Sequence, residues 1–384
     1  MSVQQNDITG VDNSSPFGGD WEGAVSLLKE LIATPSFSKE EDQTAGIICR
    51  FLGERGVVHY RSGNNVWAKN KYFDASKPTI LLNSHHDTVK PNKGYTLDPF
   101  SPIEKDGKLF GLGSNDAGGC LVSLIVTFLY YYNKQDLKYN LIIAATAEEE
   151  ISGANGIEML LKDEFFLSET GLGSASPFGG QGACAIVGEP TQMQMAVAEK
   201  GLLVLDCIAH GKAGHAAREE GENALYKAVK DIQWISSYKF SKVSDLLGPV
   251  KMSVTVIETD NKQHNVVPAQ CKFVIDVRVN ELYTHEEIIE TIKQHIQSEV
   301  NPRSTRLRSS SIALEHPLVK SGIKLGRTYY GSPTTSDKAL MPFPALKMGP
   351  GDSARSHTAD EYIYVNEVYE GIELYIQLLG QLLQ

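Results

Sequence analysis

From Trp21 the apolar positions recur with helical spacing. Leu27, Leu28, Leu31 and Ile32 fall on one face, and the run closes before Pro35. The stretch Glu40–Gly56 predicts a second helix. A different pattern then begins. Thr79–Asn83, Leu141–Ala145 and Ala183–Val187 are short, mainly apolar runs separated by helix-length segments. Runs of that kind predict strands buried on both faces, as in an α/β sheet. The first ends in Ser84-His85-His86-Asp87, the second leads to Glu148-Glu149-Glu150, and the third ends in Gly188-Glu189-Pro190. Reactive groups of such sheets collect beyond the carboxyl ends of the strands, so three endings in histidine or carboxylate point to one site.

Beyond residue 196 the pattern alternates. Leu202–Ile208, Val250–Ile257 and Cys271–Val277 read as half-buried strands, and Ala224–Tyr238 and His285–Val300 as helices, with a last strand expected near Arg306–Ala313. That order predicts a small α+β sandwich. From residue 314 onward helical patterns and apolar runs return around the glycine-rich stretch Met348–Asp352. The expected organisation is an α/β domain over residues 1–195 and 314–384, interrupted by an inserted domain at 196–313.

Composition narrows the function. A chain of 384 residues exceeds one ordinary core, which agrees with two domains. Its net charge of −11 argues against nucleic acid or an anionic membrane as partner. Cys49, Cys120, Cys184, Cys207 and Cys271 are scattered, with no CxxC pair, which argues against a disulfide framework or a thiolate metal site and fits a reducing cytoplasm. The opening MSVQQNDITGVDNSSPFGGD lacks the pattern of a signal peptide, and its first ~20 residues read as a loosely held arm. No apolar run approaches the roughly 18 residues that a membrane span needs.

His85 and Asp87 alternate on an extended chain and can face one side, where the carboxylate can partner the imidazole of a metal ligand. The competing reading is a polar strand end with two hydrogen-bonded histidines. Asp116 lies in the glycine-flanked loop Gly111–Gly119 ahead of the apolar helix Leu121–Tyr131, where a carboxylate can approach an ion closely or simply cap the helix. These glycines match neither the GxGxxG fingerprint nor a phosphate loop. Three adjacent glutamates ordinarily mark a solvated surface. After a buried strand they favour a cation, and on an extended segment neighbouring side chains diverge, so that one could bind metal while the next stays free as a base. Glu189 offers a further oxygen. His357, in a polar loop, reads alone as a surface residue, but two ions need more ligands than the other positions supply.

Together these motifs resemble the zinc-dependent amidohydrolases and exopeptidases that include acetylornithine deacetylase, succinyl-diaminopimelate desuccinylase and aminoacylase. SHHDTV is similar to that family's H-x-D motif, GLGSNDAGG to its bridging-aspartate motif and TAEEEISG to its paired-glutamate motif. VGEPT is similar to its fourth ligand and GPGDSARSHTADEY to its C-terminal histidine motif, all in family order. The resemblance implies an α/β fold: a mixed-sheet, two-metal aminopeptidase-like catalytic domain carrying an inserted α+β sandwich as lid and dimerisation domain. It implies one ion on His85 and Glu189, another on Glu150 and His357, Asp116 bridging, Asp87 steering His85 and Glu149 as general base. In the inserted segment it assigns His215 to the oxyanion, often in the partner subunit's site, and Asn265 and Arg278 to the intermediate and a substrate carboxylate. Ser84, Gly118 and Glu148 depart from the usual residues without removing a ligand.

The implied reaction is hydrolysis of a small-molecule N-acyl amino acid, N-acetylornithine or N-acetylcitrulline above all, as in arginine biosynthesis. The implied cofactors are two divalent ions, zinc with cobalt or manganese as alternatives, and the implied assembly is a homodimer. A di- or aminopeptidase of the same fold is the alternative. A silent metal- or ligand-binding relative would lack a ligand or the base, and none is missing.

Overall fold

The computed structural model describes residues 20–173 and 182–384. The N-terminal stretch read above as an arm lies outside the described residues, apart from Asp20. Among the described residues nine strands form one mixed sheet. Its order is His59–Ser62, Asn65–Lys69, Asn140–Thr146, Thr79–His85, Cys184–Val187, Ala345–Lys347, Met195–Glu199 and Ser310–Ser311, with Tyr329–Ser332 also pairing Met195–Glu199. The central strand Thr79–His85 runs parallel to both neighbours, Asn140–Thr146 and Cys184–Val187.

The continuous apolar runs exist because both faces of this sheet are covered. Ile80, Leu82, Leu141, Ile143 and Ile186 pack into one core with the helices Trp21–Ile32, Gly119–Tyr132 and Val365–Leu383. Leu81, Ile142, Ala144, Ala185 and Val187 pack the other way, against Trp67, Leu160 and Phe166. Successive side chains thus serve opposite cores, each fully buried leucine or isoleucine contributing about 1.5–3 kcal/mol. A charge at Leu81 would be buried against Trp67, Leu160 and Phe166.

A second sheet, ordered Lys251–Thr259, Gln270–Val279, Gly201–His210 and Glu299–Pro302, is antiparallel throughout. Residues of Gly201–His210 alternate between buried and part-exposed because one face alone is covered, by the helices Ala224–Ser237 and His285–His295. Asn223 caps the first of these helices and Thr284 forms a capping box with Glu287 on the second.

Two expectations are corrected here. The helix expected to reach Val300 stops at His295, because the buried Asp231 carboxylate accepts the backbone N–H groups of Gln297 and Ser298 at 3.2 and 2.9 Å and draws the chain into an extended path. The fourth strand of this sheet is therefore Glu299–Pro302, and the segment near Arg306–Ala313 is not part of it. Ser310–Ser311 instead pairs Glu199 and Ala198 of the large sheet. The alternation there arises because Leu307 and Ile312 are buried while Arg306 and Arg308 reach out to Glu158 and Glu286.

Candidate metal centre

His85 is the last residue of the central strand. Its Nδ1 lies 3.0 Å from the Asp87 carbonyl oxygen and 3.3 Å from Asp87 Oδ1. Those contacts fix the ring so that Nε2 points into a cleft, 3.6 Å from Asp116 Oδ1, 3.9 Å from Glu189 Oε1 and 4.0 Å from Glu149 Oε2. Nε2 is buried without a hydrogen-bond partner. Asp87 also accepts the Glu149 N–H at 3.1 Å, the Glu150 N–H at 3.2 Å and the Ser38 hydroxyl at 2.6 Å, so one carboxylate orders both the histidine and the glutamate turn.

The glutamate run is not extended, as the sequence suggested. Glu148 has φ of 55° and Glu149–Ile151 form a single 3-10 turn. The divergence expected of an extended segment comes instead from this turn. Glu148 points away and accepts from Asn155 Nδ2 at 2.8 Å, while Glu149 and Glu150 line the cleft.

Asp116 sits in a loop that Gly113 admits at φ of 75°, where a Cβ would strike the Thr88 methyl. Glu361 holds this loop from behind, accepting the N–H groups of Asn115 at 2.8 Å, Asp116 at 2.9 Å and Gly113 at 3.2 Å. Glu189 follows the strand Cys184–Val187, and its carboxylate enters the same cleft. His357 has φ of 60° and a side chain 54% exposed, with Nε2 3.0 Å from Glu150 Oε2 and 3.6 Å from Asp116 Oδ2.

Two ligand groups result, His85–Asp116–Glu189 and Asp116–Glu150–His357, each with donor atoms within 4.8 Å of one another, and Asp116 is common to both. The electrostatics show a cluster short of positive charge. Burial works to lower the His85 pKa, yet Asp116 and Asp87 carry it well above the ordinary value. Burial and the Asp116 charge push Glu189 up to about 8, and burial and Glu189 push Glu149 well up. The hydrogen bond that His357 donates to the Glu150 carboxylate brings its pKa to about 9. An orphaned imidazole nitrogen facing three carboxyl groups, in an all nitrogen and oxygen donor set, fits a pair of divalent ions of the zinc, cobalt or manganese type.

The structure thus brings together His85, Asp87, Asp116, Glu149, Glu150, Glu189 and His357. It does not bring His215, Asn265 and Arg278 to the lining of this cleft. His215 and Asn265 lie beside one another on a two-stranded ribbon, where His215 pairs with Val266 and the Asn265 carbonyl accepts the Ala216 N–H. The Arg278 guanidinium is held by Asp276 through Nε at 2.8 Å and Nη2 at 3.0 Å.

Sequence reasoning missed three buried polar residues around the cleft. Lys347 ends a buried strand, and its signal was a lone charge within Ala345-Leu346-Lys347-Met348. Asp337 accepts from the Thr146 hydroxyl at 2.9 Å, and burial raises its carboxyl to about 7. Glu361 lay within the C-terminal motif but carried no role.

The cleft holds about 310 Å³. The profile of Peptidase family M20/M25/M40 matches residues 81–381. Succinyl-diaminopimelate desuccinylase 2 of Ruegeria sp. (strain TM1040) is 24% identical over 289 residues, covering 71% of this chain and 69% of its own. Acetylornithine deacetylase of Myxococcus xanthus is 25% identical over 355 residues, 83% of each chain. Among solved structures, an M20 family metallo-carboxypeptidase from Sulfolobus solfataricus superposes with a TM-score of 0.73 at 17% identity, covering 94% of this chain and 99% of that one. This chain belongs to peptidase family M20/M25/M40 and is a metal-binding amidohydrolase.

Proposed function

We propose that the chain removes the acyl group of an N-acyl amino acid, with N-acetylornithine and N-acetylcitrulline as the first candidates. The observation that carries this reading is the pair of ligand groups sharing Asp116, with Glu149 beside them and free of either group. Both relatives named above are, by their names, enzymes that remove an acyl group from an amino acid. In this reading His85 and Glu189 hold one ion, Glu150 and His357 the other, and Asp116 bridges; zinc is the first choice for both.

When bound, such ions supply Lewis acidity that polarises an amide carbonyl and acidifies water near neutral pH. Glu149 lines the cleft, its backbone fixed by Asp87, and its carboxylate accepts the proton of the attacking water and returns it to the leaving nitrogen. Asp87 keeps the His85 tautomer with Nε2 toward the cleft.

Within the expected insert 196–313, the part that carries the second sheet, residues 201–302, acts in this proposal as lid and dimerisation domain, while Met195–Glu199 and Ser310–Ser311 at its ends belong to the large sheet. Its edge strand Lys251–Thr259 leaves Val256 and Ile257 45% and 47% exposed, a row suited to a second copy. Dimerisation or lid closure would bring His215 to the oxyanion and Asn265 and Arg278 to the substrate. A cytoplasmic location suits five unpaired cysteines, and among the described residues no helix is long and apolar enough to cross a membrane.

The metallo-carboxypeptidase likeness supports a second reading, a di- or aminopeptidase. A metal-supplemented assay of N-acyl amino acids against unblocked dipeptides separates the two. Turnover confined to the dipeptides would overturn the deacylase reading.

A further inference from the structure

The cleft that holds the metal-site carboxylates is also lined by Tyr330, Ser332, Thr334, Thr335 and Lys347. Lys347 comes from the end of the strand Ala345–Lys347, and its side chain is only 5% exposed. Its ammonium lies 3.0 Å from Thr334 Oγ1 and 3.7 Å from Glu199 Oε2. The second separation is an ion pair too long for a hydrogen bond. Glu199 is itself fully buried and already accepts from Ser336, through N at 3.3 Å and Oγ at 2.9 Å.

A second buried lysine, Lys338, also draws on Glu199, while its ammonium reaches the Ala196 carbonyl at 3.4 Å. Two ammonium groups therefore share one carboxylate that belongs to neither metal-ligand group. Lys338 does not line the cleft; Lys347 does. Among the described residues Thr334 is the one hydrogen-bond acceptor that Lys347 reaches, and an ammonium has three donors. A cation kept nearly dry is costly unless an anion meets it. The nearby charges of Glu149 and Glu189 act on Lys347, but the reading above gives one to the metal and the other to proton transfer.

We propose that Lys347 is the anion-binding group of the substrate cleft and takes a carboxylate oxygen of the substrate. This rests on the amide-hydrolase reading above and deepens it, since it gives the substrate a carboxylate near the scissile bond. Two positions can supply that group: the α-carboxylate of the amino acid, or the far end of a dicarboxylic acyl group. Arg278, the residue that the sequence put forward for this task, has its guanidinium engaged by Asp276.

The test pairs wild type and Lys347→Met with four compounds sharing one amino-acid side chain. These are the N-acetyl and N-succinyl amino acids, the N-acetyl amino-acid amide, and the N-succinyl compound with its terminal carboxylate converted to a carboxamide. Removing a charged hydrogen bond should raise KM about 10- to 100-fold, with kcat little changed, for compounds carrying the recognised carboxylate. Compounds lacking it should be unaffected. If the N-succinyl compound alone is penalised, the acyl end is the source; if the penalty follows the free α-carboxylate, that group is. Lys347→Arg, which keeps the charge, should recover part of the loss, and zinc content and unfolding midpoint report whether each variant is intact. An equal loss on all four compounds would make Lys347 a general counter-ion and overturn the proposal. Should wild type hydrolyse none of the four, the functional reading falls. Calorimetric binding of the same compounds to zinc-loaded wild type and Lys347→Met then decides Lys347 separately, and equal affinities would overturn it.

Discussion

Glu361 belongs to neither ligand group, yet its carboxylate accepts the backbone N–H of Asp116 and holds the shared aspartate in place. Replacing it with alanine strips acceptors from three backbone N–H groups at once, those of Gly113, Asn115 and Asp116. Each orphaned buried donor costs about 1–3 kcal/mol, and water entering the vacated space recovers part, so a loss of about 3–5 kcal/mol is expected. That is a large share of the roughly 5–15 kcal/mol that stabilises a typical domain. The milder Glu361→Gln should fall between, for two reasons. Burial and the Asp116 charge push the Glu361 carboxyl up to about 8, so near neutral pH much of the metal-free population already holds a proton there. The amide also keeps one oxygen for the two shortest bonds.

The distinctive consequence is for metal. Because Asp116 belongs to both groups, loosening its loop should weaken both ions, by about 10- to 100-fold each, the usual effect of losing an outer-shell partner. His357→Ala should weaken only one. Urea unfolding of the metal-free variants and zinc titration against a competing chelator give the two numbers. Wild-type stability within 1 kcal/mol, together with two unaltered affinities in Glu361→Ala, would refute the tether; weakening of a single ion would refute the shared aspartate.

Further outcomes follow from the same geometry. Glu149→Gln should keep its metal content and lose about 10²–10⁴-fold in turnover, and near-normal turnover would remove Glu149 as the base. Equal mixtures of inactive His215→Ala and inactive Glu149→Ala should regain about a quarter of wild-type activity if subunits exchange and each site borrows the partner's histidine, since half the dimers then carry one intact site. Exchange without recovery would leave His215 in its own subunit's site or in none. Lys338 is buried facing Glu199 and Lys347, and desolvation lowers its pKa to about 8 from an ordinary 10.5. The folded state therefore releases this proton before the unfolded state does. Its destabilising effect, about 3 kcal/mol at most, is full below pH 8 and fades between about pH 8 and 10.5. Lys338→Met should raise stability at pH 7 and flatten that slope; a less stable variant with the slope unchanged would contradict this.

Much of this centre was visible in the residues because it uses strand ends. His85 and Glu189 follow runs whose two-sided burial leaves an unmistakable apolar signature, and the glutamate turn follows a third. The shape of that turn was not visible, since nothing in three consecutive glutamates announces a left-handed Glu148. The end of the helix at His295 depended on Asp231, sixty-odd residues earlier, capturing two backbone amides, a long-range contact that no local window contains. Lys347 and Glu361 were hidden for a related reason. Each looks ordinary in sequence, and its importance lies in what the fold sets against it. His215, Asn265 and Arg278 were singled out by resemblance alone, and none of them lines the cleft.

The two segments that join the sheets, around Gly201 and around Leu307, lie against each other. Leu202 donates its N–H to the Leu307 carbonyl at 2.9 Å, and a Cβ on Gly201 would collide with the backbone of Ser309 and Leu307. The ends of the intervening stretch are thus already within a turn's reach. A short loop in place of residues 202–306 would close the chain without redirecting either segment. None of the five ligand positions falls inside that stretch, whereas His215, Asn265 and Arg278 all do. On the function proposed above, residues 202–306 would be an exchangeable cassette, and swapping it should alter selectivity while the strands that lead to His85, Glu150 and Glu189 stay as they are.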